Sequence, residues 1–311
     1  MISVVFSFRN EEAVLPELVK RVRLALADMY RYEMIFVNDA SSDRSLEVLM
    51  RLREESENIK VINMARRFGV TPCAMAGFSA AKGDAVIYMD SDLQDPPELL
   101  AGMIREWEQG AEIVHTLRIR RAGESAVKMW VTRAAYKLIN AFSDIELHEN
   151  IGDFKLLSRR AVDEILKLGE IDPYLRGLSV WIGFKQVVLK YERAGRFAGR
   201  SKFSLFRSLN PYKEFVRGLA SFSTVPLYFA LFVGLWVSVS SFVLVAGVLI
   251  MKIAGWNLPG WTAIMSAILV LSGIILFTIG ILGIYVGRIY DQVRGRPRYI
   301  VQDHVGFDKD G

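Results

Sequence analysis

The chain has 311 residues, 52% of them hydrophobic, with a mean hydropathy of +0.25 and a formal net charge of +5. That length suits one large domain or two ordinary ones, and so apolar a composition argues against a fully solvated enzyme. A single cysteine, Cys73, excludes an intrachain disulfide and reads as a buried thiol, and the scattered His115, His148 and His304 exclude a zinc site by their spacing.

Short apolar runs alternate with amphipathic stretches from the first residues onward. "ISVVFSF" (2–8) predicts a strand rather than a signal peptide, because no basic region leads into a long apolar core. Residues 13–29 carry apolar side chains at helical spacing. Residues 32–39 predict a second strand, 42–56 a helix opened by a Ser/Asp cap, and 59–65 a third strand. Residues 71–82 predict a short helix with proline just inside its start. Residues 84–90 predict a fourth strand, 96–110 a helix and 111–117 a fifth strand. Such alternation implies an α/β domain with a mostly parallel sheet and helices on both faces. Residues 118–165 are less regular, and "KQVVLKYE" is a further strand-like run.

Towards the C-terminus the pattern changes. "KFSLFRSLNPYKEFVRGL" (202–219) mixes Phe and Leu with regularly spaced basic residues, and Pro211 divides it. It fits amphipathic helices lying in a membrane interface; a solvated helix packed on the first domain is the alternative. No charged residue occurs from 218 to 251 or from 253 to 287, and each run exceeds the roughly 20 residues that cross a bilayer. Lys202, Arg207, Lys213 and Arg217 precede the first run; Arg288, Arg294, Arg296 and Arg298 follow the second; only Lys252 lies between. Positive residues favour the cytoplasmic side, so both chain ends are expected there, with Trp256 and Trp261 at the outer interface. The expected organisation is a cytoplasmic domain at 1–201, interfacial helices at 202–222 and a first span at 223–251. A short outer loop at 252–261, a second span at 262–287 and a basic cytoplasmic tail at 288–311 complete it. The partners expected are a lipid bilayer and small substrates, with no nucleic acid.

The chemistry concentrates in "YMDSDLQDPPELL" (88–100). Asp90, Asp92, Asp95 and Glu98 crowd negative charge onto the end of the fourth strand, and ligands of open α/β sheets bind beyond such strand ends. Two readings are open: a solvated loop, or a D-x-D pair holding a hard divalent cation together with substrate phosphates. Asp39, ending the second strand, is either a turn former or an acceptor for ribose or base hydrogen bonds. Glu11 in "SFRNEE" lines the same crevice. Arg118, Arg120, Arg121, Arg200 and Lys202 are available for phosphate oxygens.

Taken with "FVNDASSDRS", "GDAVIYMDSDLQDPPE", "NIGDFKLLSRRAV", "GRSKF", "SLNPYKEFVRGLASFSTVPL" and "GILGIYVGRIYDQVRGRPRYIV", the chain resembles the polyprenyl-phosphate glycosyltransferases of glycosyltransferase family 2. The two-span bactoprenol glucosyltransferases are the most similar group, with dolichyl-phosphate mannose synthase a relative. The resemblance implies a GT-A type nucleotide-sugar-binding domain followed by interfacial and transmembrane helices. It implies inverting transfer of a hexose, glucose from UDP-glucose, to polyprenyl (undecaprenyl) phosphate with Mg²⁺ or Mn²⁺. Alternatives are the same reaction with GDP-mannose or a UDP-aminoarabinose derivative, or a polysaccharide synthase-like transferase. A non-catalytic membrane-anchored nucleotide-sugar binder is disfavoured by the intact carboxylate motif.

Site roles follow from the resemblance. Ser7, Arg9 and Glu11 correspond to first-strand nucleotide contacts, although "SFRNE" stands where the family has "PxYNE". Val37 and Asp39 correspond to base and ribose contacts. Asp90, Ser91 and Asp92 form the metal and diphosphate motif, with Asp92 the most direct ligand. Gln94 lies near the sugar phosphate, and Arg118 holds phosphate. Asp153 lies near the acceptor, as base or as positioning group, or is a structural hydrogen-bonding residue. Arg200 and Lys202 are the basic pair that follows the domain's last strand. The resemblance also implies a homo-oligomer, with a tetramer fitting the family. The small residues Gly273, Gly280, Gly283 and Gly287 suit helix packing, either between chains or between the two spans of one chain.

Overall fold

β1 (Ile2–Phe8) is buried along its whole length, as a strand covered on both faces must be. β2 (Tyr32–Asn38), β3 (Ile59–Met64) and β4 (Ala85–Asp90) are nearly as enclosed. These assignments come from a computed structural model of the protein, which describes residues 1–26, 29–118, 151–192, 222–254 and 260–307. The helices between the strands are α1 (Leu15–Leu26), α2 (Ser45–Glu54), α3 (Val70–Ala80) and α4 (Leu100–Glu108). Pro97–Leu99 form a 3-10 turn ahead of α4 rather than its first turn. Pro96 is extended there, with ψ 125°, because the proline that follows it disfavours the helical region. β5 (Ile113–Arg118) completes the expected alternation.

Four further elements of this domain are β6 (Ile151–Ser158), α5 (Arg159–Lys167), α6 (Leu175–Trp181) and β7 (Gln186–Tyr191). Ser158 caps α5, its side chain accepting from Ala161 N at 3.1 Å. A last strand, β8 (Val301–Val305), lies in the stretch that the sequence presents as a basic tail.

The eight strands among the described residues make one sheet in the order β7-β5-β6-β4-β1-β2-β3-β8. β4, β1, β2 and β3 are parallel neighbours, as are β5 and β7. β6 is inserted antiparallel between β4 and β5, and β8 covers the β3 edge antiparallel. The mostly parallel α/β expectation therefore holds, with two antiparallel strands that periodicity does not reveal.

Two apolar cores sandwich the sheet. On one face Leu18, Val22, Leu49, Leu100 and Met103 from α1, α2 and α4 meet Val4, Phe6, Phe36 and Ile87. Phe6 and Phe36 are register partners and stack with ring centroids 4.6 Å apart. On the other face α3 and α5 pack Cys73, Met75, Phe78, Val162 and Ile165 over Val5, Ile35, Val86 and Tyr88. Each fully buried Val, Leu, Ile or Phe contributes about 1.5–3 kcal/mol of transfer free energy, and these contacts fix the strand ends that carry the polar residues.

The described chain divides into two compact units. The second holds α7 (Val225–Ile253) and α8 (Trp261–Arg294). Both are long and apolar enough to cross a membrane, with a mean hydropathy of 2.3 over Val225–Met251 and over Val270–Arg294. α8 packs on α7, and Tyr285 Oη donates to the Ser223 carbonyl at 2.7 Å. At about 1.5 Å per residue the 34-residue α8 is roughly 51 Å long, so its helix continues past the expected end of the span at 287 through Arg288 and Arg294. The interfacial helices expected at 202–222, apart from residue 222, and the basic residues Arg120, Arg121, Arg200 and Lys202 lie outside the described residues.

Candidate active site

The carboxyl ends of β1, β2 and β4 carry the predicted residues, and β5, β6 and α6 bring charge to the same region. Ser7, Val37 and Asp90 lie in register across β2, β1 and β4. The loops after these three strands contain the non-glycine residues with left-handed backbone among the described residues: Asn10 (φ 55°), Ala40 (φ 51°) and Leu93 (φ 55°). Outside glycine such conformations cost on the order of 1–3 kcal/mol and persist where the surroundings enforce them. Here the enforcement is visible. Asn10 is stitched to the β2 loop through Ser41 Oγ (3.1 Å), Ser42 Oγ (3.2 Å) and Ser42 N (2.8 Å). Asn38 Oδ1 accepts from Ser41 N at 2.9 Å across Ala40. Leu93 buries its side chain in the core between Asp92 and Gln94.

Asp39 sits at the tip of β2. Its carboxylate accepts from Phe68 N at 2.6 Å and from Gly69 N at 3.1 and 3.2 Å, which holds the loop leading into α3. Burial and the Asp39 charge beside it push the Cys73 thiol well above its ordinary range, so this cysteine stays protonated and inert. Ser7 shares a 2.8 Å hydrogen bond with Tyr88 Oη. Arg9 and Glu11 are half-buried in the β1 loop, Glu11 N donating to Ser45 Oγ at 2.7 Å. Val37 does not join this group: its side chain is fully buried in the core beneath α3, so only main-chain atoms are left for a ligand.

The charged centre is built around β4 and β6. Asp90 is half-buried at the end of β4. Burial, then the charges of Asp153, Asp95 and Asp92, push its carboxyl up to about 7, with Arg118 opposing. Asp92 Oδ1 accepts from Gln94 N at 3.2 Å, Gln94 is half-buried and Ser91 is buried. Asp95 is fully enclosed. Arg118 Nη2 reaches its two oxygens at 3.3 and 3.2 Å, and Tyr191 Oη donates to it as well as accepting from Arg118 Nε at 2.9 Å. Burial opposes the Arg118 charge, yet Asp95 and Tyr191 raise its pKa overall. The glycine of "NIGDF" has a packing role here, since a Cβ on Gly152 would lie 2.9 Å from the Arg118 guanidinium.

Asp153, one residue further along β6, is gripped by Arg176 of α6, Nε to Oδ1 at 2.8 Å and Nη2 to Oδ2 at 2.5 Å. Burial works against its ionisation, but Arg176, Lys155 and Arg118 outweigh it and hold the carboxyl well below the usual carboxylate range. Lys155, buried beneath, donates to Ser179 Oγ at 2.9 Å, and burial pushes it down to about 8.

Carboxylates crowded enough to raise the pKa of Asp90 suit a divalent cation. Mg²⁺ and Mn²⁺ bind through one or two carboxylates plus phosphate oxygens and water, a donor set that Asp90 and Asp92 match. Among the described residues no group of three or more His, Cys, Asp or Glu converges on one metal position, so phosphate and water would fill the remaining positions.

Asp39, Asp90, Asp92, Arg118 and Asp153, singled out in the sequence, lie at one end of the sheet, and the structure adds Asp95 as a partner, Tyr191, Lys155 and Arg176 to them. An arginine within the apolar "YLRGLSVW" was the available signal for Arg176.

The family model for Glycosyl transferase family 2 matches residues 3–166. The chain belongs to glycosyltransferase family 2. This family 2 chain is 37% identical over 308 residues to the glycosyltransferase YkcC of Bacillus subtilis, covering 98% of this chain and 94% of that one. It is 37% identical over 303 residues to the bactoprenol glucosyl transferase of Shigella phage SfII, covering 97% of each. Among solved structures, the mannosyltransferase PcManGT of Pyrobaculum calidifontis, in complex with GDP-Man and Mn²⁺, is similar at 15% identity and a TM-score of 0.49, over 95% of this chain and 88% of that chain. As a family 2 glycosyltransferase, the protein is an enzyme with a GT-A-like α/β sheet, and its Asp-x-Asp motif ends the central strand β4.

Proposed function

We propose that the enzyme transfers glucose from UDP-glucose, with inversion, to the phosphate of a polyprenyl lipid at the cytoplasmic face of the membrane. The observation that carries this reading is one charged cluster, Asp90 and Asp92 beside Arg118 and the Asp153–Arg176 pair, in a chain that also holds two membrane-length helices. The similarity to a bactoprenol glucosyl transferase across 97% of the chain supports both sugar and acceptor.

Asp39 and the backbone around Asn10 and Ala40 receive the nucleoside, and Ser91 and Asp92 face the diphosphate. Asp90 and Asp92 would hold a divalent cation, which would supply positive charge against the leaving nucleoside diphosphate. Arg118, fixed by Asp95 and Tyr191, adds a preorganised donor that needs no rearrangement as charge develops. The acceptor phosphate monoester has its second pKa near ~6 and is already mostly dianionic at neutral pH, so no strong base is required. Asp153, held ionised by Arg176, is poorly matched to proton abstraction at that pH. It serves instead to aim Arg176, whose planar fork suits phosphate oxygens. Arg200 and Lys202 are proposed as further phosphate contacts, and the basic segment from 196 to 217 as the region that meets the lipid head group.

A donor panel with undecaprenyl phosphate, scored by lipid-linked product and by its anomeric configuration, tests the proposal. UDP-glucose is expected to give the inverted lipid-linked glucose. Product from GDP-mannose or a UDP-aminoarabinose derivative alone would overturn the sugar assignment; no product from any donor would overturn the acceptor. Wild-type rates in both Arg200→Ala and Lys202→Ala at limiting donor and lipid would remove the basic pair from the site.

A further inference from the structure

β8 returns the chain to the sheet beside the nucleoside end of the site. It pairs with β3 so that Asp303 stands opposite Asn63, and the register shifts next to this pair, leaving Gln302 as the extra residue. Such a bulge re-aims a side chain, and Asp303 Oδ1 accepts from Asn63 Nδ2 at 2.6 Å. Asn63 Oδ1 in turn accepts from Asn38 Nδ2 at 3.0 Å, and Asn38 Oδ1 accepts from Ser41 N at 2.9 Å. Both asparagines are buried, while Asp303 is exposed. The chain of bonds thus runs from an exposed carboxylate to the turn that holds Asp39 and the left-handed Ala40.

The direction of this chain follows from the charge at its outer end. A carboxylate only accepts, so Asn63 must present its NH₂ to Asp303 and its carbonyl oxygen to Asn38. Asn38 must then present its NH₂ to Asn63, which leaves its oxygen for Ser41 N. One acidic residue therefore orients two buried amides and places the acceptor that closes the Asp39 turn. A second link supports the other side of the same carboxylate. Ile300 O accepts from Ala65 N at 3.0 Å at the start of the loop whose Phe68 and Gly69 amides donate to Asp39. β8 runs into Gly306, whose left-handed backbone (φ 87°) lies against the Arg53 guanidinium.

We propose that Asp303 is a positioning residue for donor binding: through Asn63 and Asn38 it fixes the turn that presents Asp39 to the nucleoside. The inference rests on the nucleotide-sugar reading above. It adds a specificity element supplied by the strand that follows the second membrane-length helix.

The test is calorimetry of UDP and of GDP with the full-length protein in nanodiscs, beside transfer kinetics. Asp303→Lys puts a donor where the chain needs an acceptor, so both amides are driven to reverse. It is expected to weaken nucleotide affinity about tenfold or more, the scale of one mispaired buried hydrogen bond. Asp303→Asn, whose amide oxygen still accepts, is expected to stay within about twofold of wild type. Donor KM should follow affinity in both variants, while the KM for polyprenyl phosphate stays unchanged; the mispaired bond also lowers the melting temperature of Asp303→Lys modestly. Wild-type nucleotide affinity in Asp303→Lys overturns the positioning role. Equal losses in donor KM and lipid KM overturn it too, since those mark general destabilisation. If the wild-type chain binds neither UDP nor GDP, the nucleotide-sugar reading itself fails, and this inference with it.

Discussion

Arg176 holds Asp153 by two hydrogen bonds, one from Nε and one from Nη2, across 23 residues of sequence. The pair ties α6 to β6 at the point where Asp90 feels the charge of Asp153. Arg176→Ala should lower kcat for transfer about 10²-fold, the cost of losing one aimed charge stabiliser, while UDP affinity is unchanged. Arg176→Lys should recover only part of the rate, because an ammonium cannot replace a bidentate fork. Equal losses of UDP affinity and kcat would show that Arg176 serves the donor instead of the acceptor.

The buried Lys155 gives a pH signature. Burial, opposed by the Asp153 charge and helped by Arg176, pushes it down to about 8, against about 10.4 in an unfolded chain. Between these values the unfolded chain binds more protons than the folded one, so stability rises with pH across that window. Below about 8 lysine is charged in both states and the cost of burying it is constant. The gain across the window is on the order of 3 kcal/mol. Melting temperatures of wild type and Lys155→Met, followed from pH 7.5 to 10.5, should converge or cross as the wild type gains. Parallel curves would mean that Lys155 does not deprotonate within the window.

Much of this fold was legible because β1 to β5 are apolar runs separated by amphipathic helices. The two antiparallel strands were not, and each has a local reason. β6 carries Asp153 and Lys155 inside the strand, where the charges break the apolar pattern; they are tolerated only because Arg176 and Ser179 arrive from α6. β8 reads "VQDHV", polar and short, as suits an edge, and its partner β3 lies more than 200 residues earlier. The D-x-D carboxylates were readable as a motif at a strand end. The pairing of Asp95 with Arg118 and Tyr191 was not, since Tyr191 lies 96 residues away and only the sheet order brings β7 beside β5.

The glycines of α8 bear on assembly. A Cβ added at Gly273, Gly280, Gly283 or Gly287 would meet nothing within 4 Å among the described residues, so these positions are not where α8 packs on α7. Small residues at that spacing permit close approach of a helix from another copy. The protein should therefore migrate as an oligomer in native mass spectrometry from nanodiscs, and Gly283→Leu with Gly287→Leu should shift it towards monomer. A monomeric wild type would refute this.

Asp92 provides the sharpest test of the proposed cation. It is half-buried in the turn that Leu93 holds in the left-handed region, and its Oδ1 accepts from Gln94 N at 3.2 Å. Asp92→Asn is isosteric and keeps an oxygen for that bond, so the fold and melting temperature should be preserved. What it removes is one negative charge beside Asp90. Turnover should fall by more than ~10²-fold, the scale of losing one transition-state charge stabiliser. UDP affinity measured by calorimetry should rise on adding Mg²⁺ or Mn²⁺ to wild type and should not respond in Asp92→Asn. Full wild-type transfer in excess chelator, or an unchanged metal response in the variant, would remove the cation from this pair of carboxylates. Arg118 would then remain, among the described residues, as the cation proposed to stabilise the leaving group.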